Sequence, residues 1–337
     1  MTQIERSTGE ACGKVILFGE HAVVHGAPAI AAGIERAAYA TAEPSPTARS
    51  SLRIGHREVL AHASSSDDLG RALHALLDVA PPAVALRMEA RSQLPAGGGL
   101  GSSAALAVAI ARAVQGFAKT NGRDPETLVL ERAAAWERVF HGNPSGIDAT
   151  AAARGGIFKY TRSEGPTSLH PRKDIVLCVG FSGMPSSTRG MVELIAARMQ
   201  KDPQIVTNSI EAIRSVVNAA ASAIEAGEHA TIGKLMDMNQ LVLSGLMVST
   251  SELEEMCALA RGHGALGAKL TGGGGGGSVI ALVAPVYQPD GSMDHAQEDA
   301  AATRIIDAWR KANPRYDGFV TRIRADKRFV PTEGATP

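Results

Sequence analysis

Between Leu94 and Ala105 the chain reads LPAGGGLGSSAA, and this run constrains the surrounding fold more than any other feature of the sequence. Lacking a Cβ, Gly97, Gly98, Gly99 and Gly101 reach backbone conformations closed to other residues, so successive N–H groups can turn inward on an anion. A β-like stretch, AVALRMEARSQ, precedes the glycines. Ser102 and Ser103 then open an apolar, helix-compatible stretch, AALAVAIARAV. The amino end of that helix would add its positive pole to the same spot, with the two hydroxyls as caps. Strand, glycines and helix in this order make a phosphate cradle, whereas a merely flexible loop needs no such flanks.

Two other nucleotide patterns fit poorly. Gly99 to Ala104 satisfies G-x-G-x-x-A, but the helix after it leads into another helical stretch, not into a second strand ending in an acid, which disfavours a dinucleotide fold. No G-x-x-x-x-G-K-[ST] occurs; the stretch from Gly227 to Lys234 has other spacing and runs on into Leu235.

At 337 residues the chain has length for two domains or one large one. Its 34 basic and 34 acidic side chains leave no net field to attract nucleic acid or an anionic membrane, so the expected partners are small molecules or protein subunits, a homodimer among them. Cys12, Cys178 and Cys257 lie far apart without metal-ligand spacing and read as free thiols of a reducing compartment. MTQIERSTGEACGK lacks the apolar core of a signal peptide, and no apolar run approaches the ~18 residues of a membrane span. A soluble cytoplasmic protein is the expectation.

Along the chain, KVILFGE, PAIAAGI, ERAAYATAE, SLRIG and REVLAHA read as short strands, followed by a helix near Asp68 to Val79. Helices are expected from Ala104 to about Lys119 and from Pro125 to about His141, then a strand, GGIFKYT. Residues 165–173, within the polar SEGPTSLHPRK, read as a connector between an amino-terminal domain, 1–170, and a carboxy-terminal one, 171–330, with a frayed tail at 331–337. The second half opens on the buried strand IVLCVGF, continues through four helices and ends strand, glycines, strand, helix, strand. That order suits an α+β sandwich with a ferredoxin-like second half better than a doubly wound sheet.

Three further segments carry chemistry. Gly272 to Gly277 follows Lys269-Leu270-Thr271 between two β-like pieces, which suggests close backbone approach either to a ligand or to the first glycine loop. In the segment Trp136 to Asp148, WERVFHGNPSGID, Pro144 and Gly146 form a turn between two helices, with Glu137 before it and Asp148 just after. Either acid alone reads as a solvated or helix-starting carboxylate; beside a phosphate cradle the pair suits a metal ligand and a hydroxyl-orienting base. In the segment from Ala11 to Gly26, ACGKVILFGEHAVVHG, Lys14 is either an edge residue reaching water or an ammonium held near a carboxylate, where it would counter charge on a phosphoryl group. His21 is equally readable as a satisfied core histidine.

Taken together, GKVILFGEHAVVHG, PAGGGLGSSAA, ERVFHGNPSGID and KLTGGGGGG resemble the small-molecule kinase superfamily of galactokinase, homoserine kinase, mevalonate kinase and phosphomevalonate kinase. Within it the chain is most similar to the mevalonate kinase branch, to which MDMNQLVLSGL, Met236 to Leu246, also points. The similarity runs in order from residue 11 to about 280, with HGNPSGID its most specific piece. It implies the two-domain α+β fold of that superfamily, with the active site between the domains. It also implies an ATP-dependent phosphotransferase of isoprenoid biosynthesis that moves the γ-phosphoryl of Mg·ATP to the primary hydroxyl of mevalonate.

Carried over residue by residue, the resemblance implies that Asp148 orients or deprotonates the hydroxyl, with Lys14 beside it. Ser103 and Glu137 would hold Mg²⁺. Glu20, His21, Thr188 and Arg162 would face mevalonate, Arg162 through its carboxylate. Pro95, Gly97, Gly98, Gly99, Leu100, Gly101, Ser102 and Ser103, with Gly272, Gly273 and Gly274, would contact ATP. The chain departs from the family pattern at Cys12, Leu106, Gly273 and Ser278, and at Ser186, where the animal enzymes carry an arginine near the substrate. A sister kinase for a sugar or a phosphorylated acceptor, and a nucleotide-binding regulator without catalysis, are the rival readings. No cluster of cations stands near Thr188 in the sequence, and the intact Lys14, Ser103, Glu137 and Asp148 argue against the regulator.

Overall fold

The computed structural model describes residues 5–120, 122–142, 145–288 and 294–325. The tail at 331–337 and Pro144 of the expected turn lie outside the described residues. The first half runs β1 (Ser7–Phe18), β2 (Ala29–Pro44), β3 (Ser51–Ile54), β4 (Arg57–Leu60), α1 (Asp68–Asp78), β5 (Leu86–Ser92), α2 (Ser102–Gln115), α3 (Pro125–His141), α4 (Ile147–Arg154), β6 (Ile157–Thr161) and β7 (Gly165–Ser168). Its strands form one sheet in the order β4-β3-β5-β2-β6-β7, with β1 also on β2.

PAIAAGI and ERAAYATAE are one strand, β2, rather than two. Its pairing with β1 slips between Cys12 and Gly13, where partners jump from Ala37 to Ile34, so Glu35 and Arg36 bulge out of the ladder. The bulge lets β2 carry two charges between its buried stretches at 29–34 and 37–38: the Glu35 N–H donates to Thr321 Oγ1 at 3.3 Å, and the Arg36 guanidinium stacks on Phe319. Because β1 occupies one edge of β2 for nearly its whole length, β6 and β5 share the other edge, on residues 29–32 and 38–44.

The stretch expected as a connector begins with a strand, because Gly165, at φ +75°, closes a hairpin and returns β7 along β6. Helix α2 is buried on nearly every face by its alanines, and small side chains let backbones meet. A Cβ on Gly9 would lie 2.0 Å from Ala109 O, so β1 runs directly against this helix.

The second half contains β8 (Ile175–Phe181), α5 (Thr188–Lys201), α6 (Pro203–Ala226), α7 (His229–Gly245), α8 (Ser251–Gly262), β9 (Ala265–Thr271), β10 (Ser278–Val283), α9 (His295–Ala312) and β11 (Asp317–Ile323). The antiparallel order β11-β8-β10-β9 is the ferredoxin-like arrangement. The two sheets meet where β9 ends, since Thr271 Oγ1 accepts from the Ile16 N–H (2.9 Å) and donates to Ile16 O (3.0 Å). That seam continues a single apolar core from one sheet to the other and places the two glycine runs face to face. No helix among the described residues is long and apolar enough to cross a membrane.

Candidate active site

Gly97, Gly99 and Gly101 have φ of +71°, +72° and +75°, so alternate residues of the first glycine loop occupy the left-handed region that only glycine enters freely. The cap of α2 is Gly101 rather than a hydroxyl, and among the described residues the first turn has no side-chain cap. The expected serine caps do other work: Ser102 Oγ lies 3.3 Å from Ser92 Oγ, and Ser103 Oγ donates to Glu137 Oε1 at 2.5 Å. An uncapped helix start keeps its N–H groups for an incoming anion.

The second glycine run docks on the first. Ser278 Oγ donates to Gly98 O at 2.7 Å, and a Cβ on Gly272 would come within 3.0 Å of Gly99 O. Gly272 and Gly273 reach the cleft of about 260 Å³ that the first loop borders. Gly274 does not; a Cβ there would sit 2.1 Å from Val248 O, and its carbonyl accepts from Ser186 Oγ at 2.6 Å. Leu100 is likewise a core residue, with its carbonyl taken by the Lys14 N–H at 2.9 Å.

Lys14 does not snorkel to water. Its side chain is 4% exposed, and Nζ stands 3.2 Å from Asp148 Oδ1 and 3.0 Å from Gly99 O, while Asp148 is 39% exposed and open to the cleft. The ammonium therefore bridges the phosphate loop and the carboxylate. A Cβ on Gly101 would meet Lys14 Cγ at 2.8 Å in a residue already at positive φ. Gly101→Ala is accordingly expected to raise the ATP KM and lower kcat by about tenfold each, the kinetic equivalent of a strained backbone site, while circular dichroism stays native.

Glu137, on the last turns of α3, is buried with Ser103 on one oxygen and His141 Nε2 3.7 Å from the other. Burial pushes its carboxyl up to about 7 against the lowering effect of the Ser103 hydrogen bond, and the Asp148 charge adds to the rise. Among the described residues no group of three or more histidine, cysteine or acidic side chains could hold a metal by itself. A hydroxyl and one buried carboxylate beside a phosphate cradle nevertheless fit a hard cation that takes its remaining oxygens from phosphates and water. A cation there would also relieve the desolvated charge of Glu137.

Of the residues expected near the acceptor, Glu20 and Thr188 both border the cleft. Glu20 is fully buried and ion-paired with Lys269. His21 Nε2 bonds Gly273 O at 2.8 Å, and burial holds the imidazole below its ordinary value, so the ring is neutral and Nε2 is the donor. Arg162 stands instead on an adjoining cavity of about 630 Å³, which shares Glu137, Asp148 and Thr188 with the cleft. The sequence shows no cation cluster near Thr188, yet folding gathers Arg138, Arg162 and Arg189 around this second cavity from α3, the β6–β7 turn and α5. Sequence reasoning also passed over Lys269 and His141; both stand inside quoted motifs, two residues before Thr271 and four after Glu137.

The chain is similar to known proteins in sequence and in fold. The GHMP kinases N terminal domain matches residues 68–156, and the GHMP kinases C terminal domain matches 220–315. The mevalonate kinase of Pyrococcus horikoshii is 35% identical over 294 residues, 80% of this chain and 86% of that protein. That of Methanothermobacter thermautotrophicus is 36% identical, covering 82% of this chain and 90% of its own. Among solved structures, Leishmania major mevalonate kinase in complex with R-mevalonate superposes with a TM-score of 0.78 at 29% identity, over 96% of this chain and 97% of that one. Lactococcus lactis galactokinase, 16% identical with a TM-score of 0.76 over 95% and 94% of the two chains, shares the fold. With relatives matched this closely over nearly their full lengths, the chain belongs to the mevalonate kinase family of the GHMP kinases.

Proposed function

We propose that this protein is an ATP-dependent mevalonate kinase that transfers the γ-phosphoryl of ATP to the primary hydroxyl of mevalonate, a step of isoprenoid biosynthesis. The observation that carries the chemistry is the Lys14–Asp148 pair, 3.2 Å apart, beside an uncapped helix start and a glycine cradle. The choice of mevalonate rests on the relatives, which are mevalonate kinases, and on the Leishmania major structure, which holds R-mevalonate.

In this reading the amides of Gly97–Gly101 and the start of α2 hold the phosphates, while Gly272 and Gly273 close the loop from the other side. Asp148 orients the hydroxyl and takes its proton as oxygen bonds to the γ-phosphorus; the bond to the β-phosphate oxygen breaks and ADP departs. Lys14 counters charge on the phosphoryl oxygens and, 3.2 Å from Asp148 Oδ1, holds that carboxylate in place. Ser103 and Glu137 would hold Mg²⁺, which when bound supplies charge neutralisation at the phosphates. Most of the acceleration is positioning and electrostatics. Thr188, His21 and Glu20 surround the acceptor and Arg162 takes its carboxylate. The chain divides at about residue 170 into two domains and works on small molecules in the cytoplasm as a homodimer.

Arg162→Ala is expected to raise the mevalonate KM by about tenfold or more, as for loss of one charge-assisted hydrogen bond, with the ATP KM unchanged. Steady-state kinetics with each substrate varied would show this, and an unaltered mevalonate KM would remove Arg162 from the acceptor site. A second reading, a phosphorylated acceptor, is favoured by the gathering of Arg138, Arg162 and Arg189. A coupled assay of ATP consumption with mevalonate, phosphomevalonate, galactose and homoserine separates the two. Turnover of any of the last three in preference to mevalonate overturns the proposal.

A further inference from the structure

Lys269 and Glu20 form an ion pair with both side chains fully buried, joining β9 to the turn after β1. Lys269 Nζ also donates to Leu270 O at 2.6 Å, but among the described residues Glu20 Oε2 has no hydrogen-bond partner although Glu20 borders the cleft. Such a pair is weak evidence for stability, since matched apolar side chains usually do as well in its place, and a half-satisfied carboxylate does worse. Its role must be sought in what it holds.

What it holds is a strained turn. The Ala22 N–H donates to Glu20 O at 2.7 Å, closing a three-residue γ-turn centred on His21, whose φ of +61° and ψ of −39° are uncommon outside glycine. A strained residue persists only where its surroundings over-determine it. Here the surroundings are Glu20, pinned by Lys269 from below, and Gly273 O, which accepts from His21 Nε2 at 2.8 Å. Both contacts come from one stretch of chain, β9 and the glycine run that follows it. With Nε2 committed to a carbonyl, Nδ1 of the neutral ring is left as an acceptor for a hydroxyl.

We infer that Lys269 is a positioning residue for the acceptor half of the site: through Glu20 it holds the strained turn that sets His21 against Gly273, and so the shape that the acceptor meets. The identity of the acceptor rests on the mevalonate kinase reading; the geometry does not. Lys269 touches no reacting atom, so its removal acts on acceptor binding more than on nucleotide.

The test uses the full chain with Lys269→Met, Glu20→Gln and the double variant. Lys269→Met is expected to raise the mevalonate KM by about tenfold or more, with the ATP KM within about twofold, as for a displaced positioning group. In the Glu20→Gln background the same substitution is expected to add nothing, because Lys269 acts through Glu20. Nuclear magnetic resonance titration of the His21 imidazole gives a readout that needs no turnover: its pKa is expected to move up toward the ordinary histidine value when the turn loosens. Equal and additive effects in the two backgrounds, or unchanged mevalonate KM and His21 titration, would overturn the inference. Should Lys269→Met fail to fold, the double variant, which buries no lone charge, decides by matching or exceeding the KM of Glu20→Gln. Failure of the wild-type protein to phosphorylate mevalonate would sink the functional reading instead, and the His21 titration would still judge this one.

Discussion

Asp148→Ala is expected to lower kcat by about 10²–10⁴-fold, the range for loss of a general base, while the protein still binds ATP. The expectation follows from where Asp148 stands: it is exposed to the cleft, 3.2 Å from the Lys14 ammonium, at the start of a helix anchored by the buried Ile147 and Ala149. Lys14 keeps its second bond, to Gly99 O, when the carboxylate is removed, so the phosphate loop has no cause to rearrange. Nucleotide affinity by calorimetry and turnover by coupled assay therefore separate binding from chemistry. Asp148→Asn should lose nearly as much, since it keeps the shape and loses the base. Near-normal turnover in either variant would take Asp148 out of the catalytic role.

The second large effect is expected at Glu137. Its carboxyl titrates at about 7, against an ordinary 4.5, because burial disfavours the charged form. A group whose folded pKa is raised holds its proton more tightly when folded, so without metal the wild-type protein is expected to lose stability as pH rises from 4.5 to about 7. Glu137→Gln should lack that loss. Metal requires the ionised carboxylate, so apparent affinity for Mg²⁺ with nucleotide is expected to strengthen as pH rises through about 7 in the wild type. In Glu137→Gln the affinity should be weaker, by about 10–100-fold, and flat across that range. Thermal melts and Mg²⁺ titrations at several pH values check both halves. A Mg²⁺ requirement identical in the two proteins would end the ligand assignment.

How much of this was legible beforehand differs from residue to residue. The glycine loop announced its conformation because alternate left-handed residues demand glycine, and Gly97, Gly99 and Gly101 occupy that region. Helix α3 is readable at both ends, and it begins at Pro125 and ends at His141 as expected. By contrast the sequence of β2 reads as two strands because Glu35 and Arg36 interrupt its apolar pattern, and only pairing with β1 shows that a bulge absorbs them. The hydroxyl caps of α2 were a local rule overridden by tertiary partners, since Ser103 has Glu137 within reach across 34 positions of sequence.

The sequence by itself determined which residue types could serve the chemistry and where backbone freedom was needed, because both are local properties: a glycine permits its φ and a carboxylate carries its charge wherever it stands. Only the tertiary structure decided which of them meet. Lys14 reaches Asp148 across 134 residues of chain, Glu20 meets Lys269 across 249, and the arginines of α3, the β6–β7 turn and α5 converge on one cavity although none is near another in sequence. Burial decided the rest, since the same desolvation that lifts Glu137 to about 7 and keeps His21 neutral depends on what packs around each group, which no spacing in the chain records.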